Sequence, residues 1–439
     1  MTLFKFKGGI HPPENKSSTE HLVIENFKSP EIVYIPLLQH IGSVCEPLVK
    51  IGDRVLKGQK IADSTGAVSV PIHSSVSGRV IKIDILPFTL RGKVNTIVIE
   101  NDFQDELVVF NTLDNYKEKS KNELLDKMRD LGVVGLGGAL FPTHIKLNPP
   151  RDKEINTLII NASECEPYLN SDNRISIEKT TEIIKGIEIA MYILGVHKAF
   201  IGIEDNKKEA IDSFKKALIN KTDIDLAVLA TKYPQGGEKQ LIKAICNKNI
   251  PTGKLPMDVG VVVINVTTAY WIFNSIINDY PVIEEVVTVS GGAIETPKNY
   301  RVLIGTPIKE IIDSVGINRE KMDKLLTGGP MMGIAQHTES VPVIKGTSGI
   351  LALTPEETNP YKSKACISCG KCVDACPMGL SPLMYAKFAQ FEKWEEFKEY
   401  SLLECIECGS CQFVCPSKRP LTEGIRIGKA KLRSMEIKN

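Results

Sequence analysis

The chain has 439 residues, of which 42% are apolar and 24% charged, and its 54 Lys plus Arg balance 53 Asp plus Glu to a net charge of +1. That length exceeds one small module and suggests about two to four domains, while the charge balance excludes a protein devoted to nucleic-acid backbone. No apolar run approaches the roughly 18 residues needed to cross a bilayer. The longest, near Gly260–Val266, is strand-sized, and the start MTLFKFKGGIHPPENK lacks the apolar core of a secretory signal. The expected setting is the cytosol, with membrane association reached through a partner.

Residues 1–30, polar and rich in Pro, Gly and Lys, predict a surface arm. Residues 31–100 predict short strands and turns: Pro47–Ile61 carries Gly-Asp and Lys-Gly turns, and Ser74–Ile83 a Ser-Gly turn. The pattern has the form of a lipoyl-like barrel-sandwich, an all-β fold. The tip segment Asp63–Val70 (DSTGAVSV) offers no lysine to modify, so a structural or docking role is expected. Residues 120–280 predict an α/β domain. Leu124, Leu125, Met128 and Leu131 share one helical face, and the Gly-rich segment GVVGLGGALFPTHIK (Gly132–Lys146) follows. Strands at Thr157–Asn161, Lys198–Ile203, Ile224–Thr231 and Val261–Asn265 then alternate with helices at Ser176–Leu194, Lys207–Ile219 and from Thr267. Such alternation builds a largely parallel sheet. Residues 281–345 predict a smaller α+β unit, with strands at Val286–Ser290 and Tyr300–Ile304 and a helix near Ile308–Val315.

Residues 360–420 carry the strongest signal. Eight of the 11 cysteines fall here, and Cys45, Cys165 and Cys246 are scattered. Cys366, Cys369, Cys372 and Cys376-Pro377 give C-x2-C-x2-C-x3-C-P, which Cys405, Cys408, Cys411 and Cys415-Pro416 repeat. Three thiolates at this spacing wrap one [4Fe–4S] cluster, and the cysteine before Pro reaches the neighbouring cluster. Cys366, Cys369, Cys372 and Cys415 are therefore assigned to one cluster, and Cys405, Cys408, Cys411 and Cys376 to the other. A zinc ribbon has no use for the third cysteine or for Cys-Pro. Between the motifs, Ser381-Pro382 predicts a helix start. Phe388, Phe391, Trp394 and Phe397 predict a packed helical face over Met384–Tyr400, and Ser401 with Glu404 a capping box. The spacer resembles the helical ferredoxin domain of multi-subunit redox enzymes. Residues 421–439 predict a basic tail, and the segment after Cys415 carries Lys418, Arg419, Arg426, Lys429, Lys431, Arg433 and Lys438, which read as a solvated end or as a docking segment for an acidic partner or an anionic membrane.

In the loop of Gly135, Gly137 and Gly138, no Cβ hinders approach to the backbone N–H groups, and Lys146 adds a charge. Because the loop follows a helical segment, it is not a dinucleotide fingerprint; a phosphate cradle and a plain tight turn both remain open. The segments NASECEP (Asn161–Pro167), YPQGGE (Tyr233–Glu238) and NVTT (Asn265–Thr268) each follow a predicted strand, where α/β sheets bind ligands.

Taken in order, GLGGALFPTHIK, NASECEP, YPQGGE and INVTT resemble the flavin- and NADH-binding subunit of respiratory complex I. With FKGGIHPPENK, the barrel-sandwich and the double cluster motif, residues 4–416 resemble the RnfC family, a component of the Rnf ion-translocating ferredoxin:NAD oxidoreductase complex. The resemblance implies that Gly135, Gly137, Gly138 and Lys146 hold the FMN phosphate and ribityl chain, with Asn161, Gly236, Asn265 and Thr268 completing the pocket. It implies that Phe141 lies against the nicotinamide dinucleotide, with Glu166 and Glu238 accepting hydrogen bonds from it and Glu164 in the same loop. It also implies a soluble-ligand-binding β-grasp domain at 281–345. The chain departs from the complex I pattern at Leu136, Ser163 and Gly237. The cofactors implied are two [4Fe–4S] clusters, FMN and NAD(H). The partners implied are the other subunits of the membrane complex and, indirectly, ferredoxin; no nucleic acid and no transmembrane segment are expected. The implied activity is peripheral electron transfer at the cytoplasmic side of the membrane, with hydride transfer needing no protein acid or base. The alternatives are a cobalamin reductase-type flavin/iron–sulfur enzyme and a non-enzymatic iron–sulfur wire.

Overall fold

The computed structural model describes residues 4–90, 92–358 and 362–436. Along Ile32–Pro36, Val33 and Ile35 are buried while Ile32 and Tyr34 are partly open, the period of two that puts one strand face on a core. This strand, Lys93–Asn101, Gly78–Pro87 and Arg54–Val55 form one antiparallel sheet in that order. Glu46–Pro47, Lys60–Asp63 and Ile72–His73 form the second layer. The tip loop after Asp63 is docked onto the central domain. Arg129, on the helix Lys121–Asp130, donates to Asp63 at 2.8 Å and to the Ser64 carbonyl at 3.1 Å.

The central sheet is parallel, in the order Ile224–Leu229, Ala199–Glu204, Thr157–Ala162, Val261–Asn265. The long helix expected at Ser176–Leu194 is two helices, Ser171–Glu178 and Thr180–Leu194, separated at Lys179, whose φ of −129° leaves the helical region. Helix Thr180–Leu194 crosses Val266–Asn278 closely: a Cβ at Gly186 would run into the Ala269 carbonyl. The third unit is a six-stranded mixed sheet, ordered Ile24–Asn26, Lys298–Leu303, Glu284–Ser290, Gly349–Leu353, Lys324–Thr327, Ile334–Gln336.

Two terminal segments differ from expectation. The N-terminal arm is not a loose surface segment. Ile24–Asn26 adds a parallel strand beside Lys298–Leu303, Phe6 and Ile10 are buried, and the Lys16 ammonium sits inside, donating to the carbonyls of Glu164 and Leu169. Its polar composition hid this because the polar groups are satisfied by protein rather than by water. The basic C-terminal segment is likewise not a solvated tail. Leu421–Glu436 is a helix that buries Leu421, Ile425 and Leu432, and its Arg426 and Lys429 both pair with Glu407. Lys438 lies outside the described residues. In the spacer, the helix Pro382–Gln390 stops before Phe391 and a short turn, Glu396–Glu399, follows. Phe388 and Phe397 are buried, Trp394 stacks on Phe397 at 5.9 Å, and Phe391 is exposed. Ser401 caps nothing: its φ is +54°, and Glu404 instead pairs with Lys239 at 2.6 Å and accepts from the Gly253 amide.

Lys345 ties three units together. Fully buried, it donates to the Gly132 carbonyl at 2.7 Å and to the Pro71 carbonyl at 3.3 Å. Burial pushes its pKa down to about 7, against about 10.4 in an unfolded chain. The folded chain thus binds fewer protons across that window, and the lysine's contribution to stability rises with pH there. Lys345→Met is expected to flatten the rise of melting temperature from about pH 7 to about pH 10. It should also cost about 1–3 kcal/mol for each carbonyl left unsatisfied. Identical pH slopes for the two proteins would remove Lys345 from this account.

Candidate functional site

The strand order reverses between Thr157–Ala162 and Val261–Asn265, the switch point at which open α/β sheets bind ligands. Asn161 and Asn265 are register partners at the carboxyl ends of those two strands. Asn265 caps the helix Val266–Asn278, accepting from the Thr267 amide at 2.7 Å and the Thr268 amide at 3.3 Å. The Asn161 side-chain amide donates to the Gly236 carbonyl at 2.8 Å, which brings the YPQGGE loop to the same place.

The glycine loop lies over these strand ends. The Leu136 amide donates to Thr268 Oγ1 at 3.0 Å, and the loop closes on itself through Gly135 N to the Phe141 carbonyl and Leu140 N to the Gly135 carbonyl. Gly137, Gly138 and Ala139 are exposed. A Cβ at Gly137 would come 2.9 Å from Asn265 Nδ2. Gly138, at φ +87°, faces open space. Backbone bared over an asparagine-lined strand end fits a flavin phosphate and ribityl chain. Lys146 stands at the edge, 2.8 Å from Glu238, with both side chains partly exposed. Phe141 is half-buried in the same loop.

The two acids of NASECEP were expected to face a ligand, but both have protein partners. Glu164 is buried and caps the helix Ser171–Glu178, accepting from Ser171 Oγ and from the amides of Asp172 and Asn173 at 3.0–3.1 Å. Glu166 accepts from the amides of Met331 and Met332, each at 3.0 Å, and its carboxylate lies 3.4 Å from the Tyr233 hydroxyl. Burial pushes its pKa up to about 7. Sequence reasoning missed Asp172, which holds Asn265 at 2.7 Å and Thr267 at 2.6 Å. Its carboxyl is pushed up by burial and by nearby Glu164. Reasoning also missed Tyr233 and Lys16. Only position within the motif YPQGGE hinted at Tyr233, and nothing local marks the other two.

The eight motif cysteines line two separate cavities. Cys376, Cys405, Cys408 and Cys411 line the first, and Cys366, Cys369, Cys372 and Cys415 line the second. These are the two crossed sets that the spacing assigns. The halves repeat in backbone as well. Ser368 and Gly370 have positive φ in the first motif, as Glu407 and Gly409 do at the matching places in the second. Amides point at sulfur in both, Ser368 N to Cys366 and Glu407 N to Cys405, each at 3.4 Å. Eight thiols in two sets of four, with N–H donors aimed at them, fit two [4Fe–4S] clusters.

The first cavity is the inner one, because its loops touch the central domain. Tyr233 donates its hydroxyl to the Cys408 carbonyl at 2.8 Å. The Gly9 amide donates to the Ala375 carbonyl at 2.9 Å, and a Cβ at Gly8 would come 2.6 Å from the Cys376 carbonyl. Ile10, Tyr233, Ala375 and Cys408 form a small buried cluster, with Cys165, Met331 and Ile406 packed on it. The second cavity lies outward, with Cys366 and Cys369 exposed.

Comparison with known families agrees with this architecture. An RnfC barrel sandwich hybrid domain matches residues 4–104 and a Nuo51 FMN-binding domain residues 128–274. An SLBB domain matches residues 286–335 and a 4Fe-4S dicluster domain residues 365–419. The chain is 46% identical to the C subunit of the proton-translocating ferredoxin:NAD(+) oxidoreductase complex of Clostridium ljungdahlii, over 88% of this chain and 85% of that one. It is 43% identical to the C subunit of the Na(+)-translocating ferredoxin:NAD(+) oxidoreductase complex of Acetobacterium woodii, over 97% of both chains. It is also 43% identical to the C subunit of the ion-translocating oxidoreductase complex of Rhodobacter capsulatus, over 86% of this chain and 74% of that one.

Gly137→Val drives a branched side chain into Asn265, and is expected to abolish flavin retention while leaving about eight irons per chain. Cys376→Ala should leave about four irons, with the spectroscopic signal of the outer cluster intact. Loss of the outer signal instead would overturn the crossed assignment.

Proposed function

The chain belongs to the RnfC family of ion-translocating ferredoxin:NAD oxidoreductase complexes, and from that premise we propose how its residues serve the complex. It is a peripheral electron-transfer subunit working with NAD(H), FMN and two [4Fe–4S] clusters, within a complex that couples ferredoxin:NAD+ oxidoreduction to ion translocation. Among the described residues no helix is long and apolar enough to cross a membrane, so attachment runs through the other subunits of the complex. We place it on the cytoplasmic face. The thiols of Cys45, Cys165 and Cys246 are unpaired, as suits a reducing compartment.

FMN, when bound, exchanges a hydride with NADH, and the clusters carry electrons one at a time. The protein supplies position and charge. The exposed backbone around Gly137 and Gly138 presents donors to the phosphate and ribityl chain, and Asn161, Gly236 and Asn265 lie at the strand ends beneath it. Thr268, buried, holds the loop there through the Leu136 amide. Lys146 balances the phosphate charge and shares its proton donors with Glu238. Glu238, whose partly exposed carboxylate faces Lys146, and Phe141 serve the dinucleotide. Glu164 and Glu166, with their carboxylates engaged, act by holding the loops in place. The observation that carries this reading is the contact of Tyr233 with Cys408, which seats the inner cluster cavity against the loop that also bears Gly236 and Glu238.

The test is anaerobic: reconstitute the clusters, add FMN, count iron and flavin per chain, then add NADH. About eight irons, one flavin and bleaching by NADH are expected. Eight irons with no flavin and no response to NADH would leave an iron–sulfur wire. Lys146→Ala should weaken FMN binding about tenfold or more, as loss of a charge-assisted hydrogen bond does, with iron content unchanged. Undiminished affinity would remove Lys146 from the pocket.

A further inference from the structure

The two cluster halves are internal repeats, so each shows how the other's surface could be used. In the inner half, Ile406 packs beside Tyr233 and Met331, the Cys408 carbonyl receives the Tyr233 hydroxyl, and a Cβ at Gly409 would meet the Met331 carbonyl at 3.1 Å. At the matching places of the outer half, Ile367 is 67% exposed, Cys369 is exposed, and Gly370 has nothing within 4 Å among the described residues. The surface that the central and mixed-sheet domains cover on one half is bare of described residues on the other.

Charge follows the same division. In the inner half Arg426 pairs with Glu407 at 3.2 Å. Its counterpart Lys387 has Ser368 where the inner half has Glu407. The described residues lining the outer cavity include Lys371, Lys387 and Arg419 and no carboxylate, and Phe391, 64% exposed, stands beside them. The mouth is an apolar spot within a cationic rim.

We propose that this mouth is the docking face for an acidic redox domain of another subunit of the complex. Ile367 and Phe391 supply the desolvated centre, and Lys371, Lys387 and Arg419 the steering charges. The inference rests on the functional reading above and adds the chemistry of the partner. Charges at an interface rim act chiefly on encounter and on salt dependence, so the contact should weaken as salt rises.

The experiment uses the assembled complex in membranes, carrying either the wild-type chain or Lys387→Glu with Arg419→Glu, positions outside both cysteine loops. Zero-length carbodiimide coupling should join Lys371 or Lys387 to Asp or Glu of another subunit, read by mass spectrometry. Re-oxidation of the NADH-reduced clusters by the rest of the complex should slow about tenfold or more in the double variant. Because both positions line the outer cavity, the rates are compared on preparations that hold about eight irons per chain and show the wild-type outer-cluster signal. A milder Phe391→Ser variant should slow the same step with its salt dependence preserved. Cross-links solely to a second copy of this chain would overturn the proposal. So would binding of the isolated chain to anionic phosphatidylglycerol vesicles that is lost in the double variant while complex turnover is unaffected, or salt-independent transfer equal in both proteins. Failure of NADH to bleach the wild-type chain would strike the functional reading itself rather than the docking face.

Discussion

A carboxylate and a phenol placed side by side hold the working parts of this molecule in register. Glu166 takes the amides of Met331 and Met332 from the mixed-sheet domain, and Tyr233 beside it reaches the carbonyl of Cys408 in the cluster domain. Both come from loops that follow strands of the central sheet. Hydrogen bonds to a carboxylate are worth about 1.5–3 kcal/mol each, and a buried acceptor left without them is costly. Three domains therefore have one low-energy arrangement. The cradle at Gly137 and Gly138 and the inner cysteine cavity inherit a fixed separation from it, which matters because electron transfer falls steeply with distance.

What could be read from the residues is what local chemistry encodes. The cysteine spacing predicts two centres with crossed sets of ligands, and the eight thiols line two cavities in those sets, because loop geometry around a cluster is short-range. The strands of the central sheet were legible from alternation, and the Asn and Gly residues that follow them do meet at one sheet end. The terminal segments were not legible. Lys16 and Thr19 look like water-facing residues until Glu164, Leu169 and Asn170 are brought beside them from far along the chain. Leu421, Ile425 and Leu432 form a helical stripe that the surrounding basic residues obscured.

The acids of NASECEP show the same limit at the site. A Glu after a strand reads as a ligand contact, yet whether its carboxylate finds a ligand or a backbone amide is decided by loops distant in sequence, here Ser171–Asn173 and Met331–Met332. Carboxylates that bind amides shape a site without entering it. Gly137 and Gly138 are exposed above the strand ends, because glycine bares the backbone whatever surrounds it.

The crossed lining of the two cavities bears on how the chain is made. Cys376 belongs to the cavity of the second motif, and Cys415 to that of the first. A ribosome that has released residues up to the spacer has supplied three thiolates of one centre and a stray one of the other, and neither is whole. With the ligand sets that the spacing predicts, the first motif waits for the last cysteine of the second, and a chain cut short anywhere before Cys415 finishes at most one of its two centres. The Gly8-Gly9 segment, which abuts Cys376 and Ala375, emerges long before the domain it rests against. The two therefore meet late, around inorganic sulfur.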